Sequence, residues 1–543
     1  MVGNILIYFV IGPILIATVL YIFPSQKWTR IFAVVSQLVI LAGAVFLFLQ
    51  ARETTAIIPA FEGLHGFVTP IGGFESVMGI VLMADTLSAV FIMMTAFMYL
   101  IAIIYGYNEN NSPKFWFLIF LWQSTMMGIF LTTDFFNIFV LMEVATVVVA
   151  VLIMLNRKTR ALYDGMIYFM INVISMQFFL LGAGYIYKYT GTLSIYVANY
   201  QFQDISRGYV VLPYALIMTF VVLKSALIPL YSWLPKAHGT PGAPSTVSAL
   251  LSGLHIKSSV YLLVRFNYTF SVVAATEFFL VMGIVTAIVG FTFALAQKDI
   301  KLILAYHTIS QIGLIIAGFN VGGPYSFYGA LYHMVNHALF KSTLFLSAGI
   351  IAYAYKTRNV YNIKGVFKTM PLVGLATILA VFGITGTPIF NGSISKYFIG
   401  TGVYGYLNWL LIFMSLGTIV SFIKYSTILF GPKNEEITKK VDIMQQIPIL
   451  ILGSLCFLGG LFGQQAINFL FNTQVSIDSA GYLEKMGIFA ASFGLGFLIY
   501  KFYVKKSKFL LNLRQFELGF REINIALGTF FAALILIVGV FYT

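Results

Sequence analysis

Apolar runs of about 20 residues, separated by short polar segments, follow one another along nearly the whole chain. Runs of this length match the hydrocarbon core of a bilayer, so the pattern predicts an all-α polytopic membrane protein with about sixteen membrane-spanning helices. They are expected near residues 4–23, 31–50, 82–105, 113–132, 135–155, 166–187, 209–230, 244–267, 273–296, 302–319, 327–353, 371–395, 406–430, 446–471, 484–503 and 522–541. Between the last two, an amphipathic stretch is expected on the membrane surface or packed on a neighbouring helix.

Composition excludes a soluble protein of this size, since 60% of the residues are hydrophobic and only 9% are charged. A net charge of +14 would indicate nucleic acid binding in a soluble chain, but here the basic residues concentrate in alternate loops, with Arg52, Lys188 and Arg207 as exceptions. The positive-inside rule then predicts a multi-pass protein of the cell (cytoplasmic) membrane with both termini outside the cytoplasm. The single cysteine, Cys456, excludes an internal disulfide or a Cys-ligated iron–sulfur cluster.

Two predicted helices contain breaks. Helix 7 breaks after Lys224 in a proline-containing segment, and helix 12 breaks between Gly383 and Gly392, ahead of Lys396. Helices 4–8 and 9–13 each contain one break, and because five is odd the second set enters the membrane from the opposite face, an inverted repeat typical of transporters. The predicted division is N-terminal helices 1–3 over residues 1–112, a first repeat over 113–267, a second repeat over 273–430 and C-terminal helices 14–16 over 446–543.

A carboxylate and an ammonium group are predicted inside the bilayer, at Glu143 and Lys224. Nine residues of helix place Glu143 roughly 13 Å from Asp134. Asp134 therefore fits the membrane interface and Glu143 the membrane interior. A charge at mid-bilayer costs about 2.5–3.5 kcal/mol, so both groups are expected to be functional. Lys224 is the nearest candidate partner of Glu143, and separating the two would release or capture a proton. A permanent structural ion pair is the alternative.

Predicted helix 11 carries a second polar array, because His333, His337 and Lys341 are spaced four residues apart and share one face. This face extends over roughly 12 Å, which suits a water-assisted proton relay. Histidines bonded to backbone carbonyls are the structural alternative, and a haem or metal site would need a second ligand set that the sequence lacks. Lys257 is a third buried lysine, and His255 beside it is a candidate link between the two halves or a structural histidine.

Several motifs occur in order over residues 80–430: DFFNIFVLME at 134–143, WLPKAH at 233–238 followed by APSTVSALLSG at 243–253, KLILAY at 301–306 with ISQIG at 309–313, and HALFK at 337–341. With these motifs the chain resembles the antiporter-like family, which comprises the large subunits of Mrp-type sodium/proton antiporters, the proton-pumping subunits of respiratory complex I and their counterparts in membrane-bound hydrogenases. The resemblance implies about fourteen core helices with inverted repeats over helices 4–8 and 9–13. It also implies roles for Glu143 and Lys224 as a gating pair, Lys257 and the helix 11 residues as a central relay, and Lys396 as the outer exchange site.

Two departures favour the Mrp or hydrogenase branches, since Lys236 stands where many complex I relatives have an acid and His307 where a serine is common. The implied function is translocation of protons, sodium or both by a membrane subunit of a multisubunit antiporter or redox complex. A complex I pumping subunit and a mainly structural membrane subunit are the alternatives. The expected partners are other membrane subunits and lipid, without nucleic acid. Redox cofactors are expected in other chains and none in this one, and Lys424 is expected to extend to the interface.

Overall fold

The structure is a computed structural model that describes residues 5–22, 26–54, 57–58, 61–72, 79–109, 111–240, 243–437 and 440–542. Residues 4 and 23, the predicted ends of the first helix, lie outside this part of the chain. Helices dominate the described residues, as the apolar pattern predicts.

The helices are, in chain order, α1 (Leu6–Ile22), α2 (Gln26–Glu53), α3 (Thr86–Tyr105), α4 (Pro113–Leu131), α5 (Phe135–Met154), α6 (Thr159–Thr190), α7 (Ile195–Asp204), α8 (Arg207–Lys224), α9 (Trp233–Gly239), α10 (Ser245–Leu250), α11 (Ile256–Thr269), α12 (Thr276–Ala296), α13 (Ile300–Asn320), α14 (Pro324–Tyr355), α15 (Val366–Thr369), α16 (Pro371–Thr385), α17 (Asn391–Ile399), α18 (Gly405–Ser426), α19 (Ile443–Leu461), α20 (Gly463–Phe471), α21 (Ser479–Ile499), α22 (Lys508–Gln515) and α23 (Phe520–Phe541). A π-helical turn, Leu251–His255, joins α10 to α11, and a second, Tyr500–Val504, follows α21.

Within the described residues, 14 helical segments are long and apolar enough to cross a membrane. Two further apolar helices are shorter, with 17 residues in α1 and 15 in α16. Each helix expected from the apolar pattern overlaps one of these segments. The chain therefore has the helical content of a polytopic membrane protein.

Four short strands depart from the all-α prediction. They are β1 (Ile57–Ile58), β2 (Phe61–His65), β3 (Phe67–Pro70) and β4 (Val81–Ala84), and they pair antiparallel as β1 with β2 and β3 with β4. Because β4 takes residues 81–84, α3 begins at Thr86 and not at residue 82. Asp85 and Ser88 close a capping box at its start, with Ser88 N–H donating to Asp85 Oδ1 at 2.8 Å.

Two further differences have local causes. The apolar run expected at 446–471 divides at Phe462 into α19 and α20, in a segment where Gly459, Gly460 and Gly463 lower helix propensity. The ten-residue helix α7 has no counterpart among the predicted elements, because a window of about 20 residues cannot detect so short a helix.

The chain forms two compact units. The first comprises Met1–Ser225, Leu254–Ala275 and Phe520–Thr543, and the second comprises Ala226–Gly253 and Thr276–Gly519. The chain leaves the first unit where α8 ends and re-enters it within the π-helical turn before α11. The candidate groups consequently fall into two sets, one in each unit.

In the second unit, small residues bring α12 and α13 into close packing. A Cβ added at Gly290 would lie 2.6 Å from the Ser310 nitrogen, and one added at Gly313 would lie 2.5 Å from the Ala287 nitrogen. Larger side chains would push the backbones apart, as at other interfaces of small residues between membrane helices. This contact fixes α13, which carries part of the candidate site.

Candidate functional site

The first set begins where α8 stops at Lys224. Ser225 caps the helix, and Ala226 has a left-handed backbone with φ of 52°, so the α-helical path ends there, ahead of Pro229. Lys224 is thereby held at the end of a broken helix, with 3% of its surface exposed. Its ammonium donates to Thr146 Oγ1 at 2.6 Å.

Thr146 and Glu143 lie three residues apart on α5 and therefore on the same face. The helix starts at the cap residue Asp134, whose carboxylate accepts from Asn137 N–H at 2.6 Å. Glu143 is half-buried and lies within electrostatic range of Lys224. The structure thus brings the predicted pair into one cluster, with the Thr146 hydroxyl as the group that the ammonium contacts.

His255 ends the π-helical turn and is held at both ring nitrogens. Trp122 Nε1–H donates to Nδ1 over 3.3 Å, and the Tyr168 hydroxyl lies 3.4 Å from Nε2. Such π-helical turns concentrate at functional sites, but the two contacts also suit a structural histidine. Lys257, two residues later on α11, is fully buried.

The second set lies on α14, where His333, His337 and Lys341 are all fully buried on one helix, as the spacing predicted. Lys341 Nζ donates to the Leu304 carbonyl at 2.6 Å. His333 lies 3.0 Å from Gln311 Oε1 through Nε2 and 2.8 Å from Ser395 Oγ through Nδ1. The array on α14 is therefore connected to α13 at two levels and to α17 at one.

Lys396 follows the second break. α16 ends at Thr385 because Gly386 takes a left-handed conformation with φ of +80°. α17 then starts close to this end, since a Cβ at Gly392 would lie 1.8 Å from the Gly383 carbonyl oxygen. Lys396 Nζ donates to the carbonyls of Ile384 and Thr385, at 3.0 Å each. The break thus returns Lys396, in α17, to the C-terminal end of the preceding half-helix, α16.

Four side chains of these clusters were absent from the sequence-based set: Thr146, Gln311, Ser395 and His307. His307 is fully buried, its ring lies 4.7 Å from the Phe422 ring, and neither ring nitrogen has a hydrogen-bond partner among the described residues. It lies within electrostatic range of Lys341, Lys396 and Lys424. His307 lies four residues before Gln311 on α13, so the sequence could have indicated that the two share one helix face.

Lys424, which was expected to extend to the interface, is covered by protein. It is 1% exposed, and its ammonium donates to the carbonyls of Leu295, at 2.8 Å, and Gln297 at the end of α12. Arg514 in α22 donates to the Ala296 carbonyl at the same end, at 2.7 Å. Cations at a helix C-terminus satisfy its orphan carbonyls and its dipole. The amphipathic segment is therefore packed on a neighbouring helix.

Across the described part of the chain, no group of three or more His, Cys, Asp or Glu side chains could hold a metal ion. The chemical capacity of both clusters lies instead in ammonium, imidazole, carboxylate and hydroxyl groups, which can exchange protons.

Comparison with known proteins gives consistent matches. The family described as NADH:quinone oxidoreductase/Mrp antiporter, TM, matches residues 132–423. The chain is 30% identical over 432 residues to NADH-quinone oxidoreductase subunit N of Desulforudis audaxviator (strain MP104C), covering 73% of this chain and 85% of that one. It is 29% identical over 450 residues to the antiporter subunit mnhD2 of Staphylococcus aureus (strain JH9), covering 78% and 88%.

Among solved structures, a chain of the Mrp complex from Dietzia sp. DQ12-45-1b superposes with a TM-score of 0.77 at 22% identity. The match covers 92% of this chain and 99% of that one. At this identity the likeness concerns the fold.

Proposed function

The chain belongs to the NADH:quinone oxidoreductase/Mrp antiporter, TM family, and from this premise we propose that it is the ion-translocating subunit of a multisubunit antiporter or redox-driven complex. The observation that carries the proposal is Lys224, a buried ammonium at the end of a broken helix. Thr146 is its hydrogen-bond partner, and Glu143 is within electrostatic range. Buried ionisable groups inside membrane helices are costly and characteristic of ion pathways.

We propose sixteen membrane crossings, with the shorter helices α1 and α16 added to the 14 long segments. Inverted repeats would then extend over α4–α11 and α12–α18. The order of lysines supports this arrangement, because each broken helix has its lysine, Lys224 or Lys396, and the next span has another, Lys257 or Lys424. An even number of crossings, with the basic loops in the cytoplasm, places both termini outside the cytoplasm of a cell membrane.

In the first unit, the proposed switch is a change of partner by Lys224. Thr146 Oγ1 donates to the Met142 carbonyl at 2.7 Å, which leaves its oxygen free to accept from the ammonium. When the ammonium moves towards Glu143, each charge stabilises the other and both groups stay ionised. Return to Thr146 removes this stabilisation, so Glu143 takes up a proton or Lys224 releases one, and renewed approach reverses that transfer.

In the second unit, the proposed relay runs along α14 from Lys341 through His337 to His333. Imidazole groups pass protons through their two nitrogens, so a proton that reaches His333 Nδ1 is at Ser395. Ser395 directly precedes Lys396, which we propose as the exchange site. His255 and Lys257 are proposed as further stations in the first unit.

The proposed partners are other membrane subunits, since the two relatives described above are both named as subunits. Protons, sodium or both are the transported ions, and redox cofactors belong to other chains of the complex. Nickel and iron in the purified complex would identify a hydrogenase-type assembly. Their absence together with sodium-dependent proton exchange would identify an Mrp-type antiporter.

Lys224→Ala tests the proposal in sealed vesicles that contain the assembled complex. We expect ion translocation to fall by at least about a hundredfold, because alanine cannot carry the charge that the switch moves. Complex assembly, measured by gel filtration, is expected to stay intact. Lys188→Ala, which removes an exposed lysine at the end of α6, is the control and should translocate normally. Unchanged translocation by Lys224→Ala would favour the structural-subunit alternative.

A further inference from the structure

A cavity of about 100 Å³ lies beside Lys396 in the second unit. It is walled by the second break, by α17 and α18, and by the C-terminal helix α21. The volume suits about three water molecules, or a halide ion with part of its hydration shell. The cavity is therefore large enough for a small ion next to the proposed exchange site.

The helix α21 turns one face towards this cavity. Tyr482, Lys485, Phe489 and Ser492 line it and recur at intervals of three or four residues. The helix starts at Ser479, after the polar segment 472–478, so Lys485 stands in its second turn. Lys485 carries no functional signal in the sequence, whereas the structure places it on the wall of the cavity.

The wall carries two ammonium groups, from Lys396 and Lys485, and the described residues that line it include no Asp or Glu. The nearby carboxylate of Asp478 accepts from Ala480 and Gly481 N–H at the start of α21. The lining therefore supplies no carboxylate as a counter-charge to the two ammonium groups. In membrane channels, Lys and Arg rings select anions and Asp and Glu rings select cations.

The hydrogen-bonding groups of the cavity also favour an anion over a cation. Lys485 Nζ donates to Asn408 Oδ1 at 3.1 Å, which leaves the Asn408 amide N–H groups as donors. Lys396 uses two of its three N–H groups on the carbonyls of Ile384 and Thr385, so one donor is left. A site with hydrogen-bond donors and no carboxylate can bind an anion. It offers a metal cation few of the oxygen ligands that the cation requires.

We infer that this cavity is a binding site for a small monovalent anion of the chloride class, held between Lys396 and Lys485. The anion offsets the charge of the two ammonium groups, and the same charge excludes sodium. The binding claim goes beyond the proposed function and stands on the cavity itself. Its consequence, that Lys396 exchanges protons and not sodium, rests on the proposed function.

The test measures binding of radioactive chloride to the purified full-length protein in detergent, with gluconate holding the ionic strength constant. Wild type should bind chloride saturably. Lys485→Gln should weaken binding at least about tenfold, because a charged hydrogen-bond donor is lost. Lys485→Arg should keep most of the affinity. Asn408→Asp should abolish binding, since a fixed carboxylate beside Lys485 supplies the counter-charge.

Lys506→Gln, which removes an exposed lysine away from the cavity, is the matched control and should bind as wild type does. The inference is overturned if wild type binds no chloride saturably, if Lys485→Gln binds as tightly as wild type, or if labelled sodium binds at the cavity and is lost in Lys485→Gln. Lys224→Ala separates this inference from the proposed function, because it should lose translocation and retain chloride binding. Normal chloride binding with normal translocation in Lys224→Ala would reject the proposed function alone.

Discussion

At the first break the ammonium of Lys224 donates to a side chain of another helix, whereas at the second break Lys396 donates to main-chain carbonyls at the end of α16, the half-helix that precedes its own. The partner at the first break is the side chain of Thr146, and Glu143 on the same face can gain or lose a proton. The partners at the second break are the backbone carbonyls of Ile384 and Thr385, which cannot titrate and belong to the negative end of a helix dipole. The first site is therefore suited to switching, and the second to holding a charge in place.

The backbone differs in the same way. The second break depends on close contact between half-helices, with Gly392 against the Gly383 carbonyl and Gly386 in a left-handed conformation. The first break uses Ala226 in a left-handed conformation, which costs an alanine roughly 1–2 kcal/mol. The second break is thus defined by sterics, while the first retains a strained residue next to the lysine that we propose to move.

The largest effect is expected from Gly392→Ala. The added Cβ would meet the Gly383 oxygen at 1.8 Å, and because this obstacle is backbone it cannot rotate away. Overpacking usually costs about 1–3 kcal/mol, and we expect the upper end or more. The thermal melting temperature and the yield of monodisperse protein should both fall markedly.

Gly400→Ala is the control for that change, because its Cβ would meet no atom nearer than 3.5 Å and its φ of −89° suits alanine. It should purify and melt as wild type does. A Gly392→Ala protein with wild-type melting temperature and yield would show that the second break is not closed by backbone contact.

An intermediate effect is expected at the first break from Thr146→Val, which keeps the shape of the side chain and removes the hydroxyl. A hydrogen bond to a charged group contributes about 1.5–3 kcal/mol, so translocation in vesicles should fall about tenfold or more. Thr146→Ser keeps the hydroxyl and should stay within about twofold of wild type. If Thr146→Val were as active as wild type, the ammonium would have a different partner during transport.

The sequence predicted the features that depend on one segment at a time. Apolar windows located the spanning helices, and proline and glycine located both breaks. Spacing placed His333, His337 and Lys341 on one helix face. These succeed because helix period and backbone propensity are local properties. The strands β1–β4 escaped because strands of two to five residues leave a weak pattern beside runs of about 20.

Partners contributed by other helices could not be predicted. Thr146 and Ser395 are ordinary hydroxyl residues in sequence, and they gain meaning only because Lys224 and His333 pack against them. Lys485 lines the cavity only because α21 lies beside it. Contacts between helices depend on which faces pack together, and one chain without packing information does not specify that.

The smallest effect is expected from Ala226→Gly. Glycine relieves the left-handed strain at φ of 52°, but it also gives the unfolded chain more freedom, which costs about 0.4–1 kcal/mol. The relief of strain is the larger of the two terms, so the melting temperature should stay the same or rise slightly. Gly386→Ala at the second break adds strain at φ of +80° and brings a Cβ within 3.0 Å of Lys396 Cδ, and it should clearly lower the melting temperature. If both variants lowered the melting temperature equally, the two breaks would depend equally on their backbone conformation. The contrast between a switching site and a holding site would then fail.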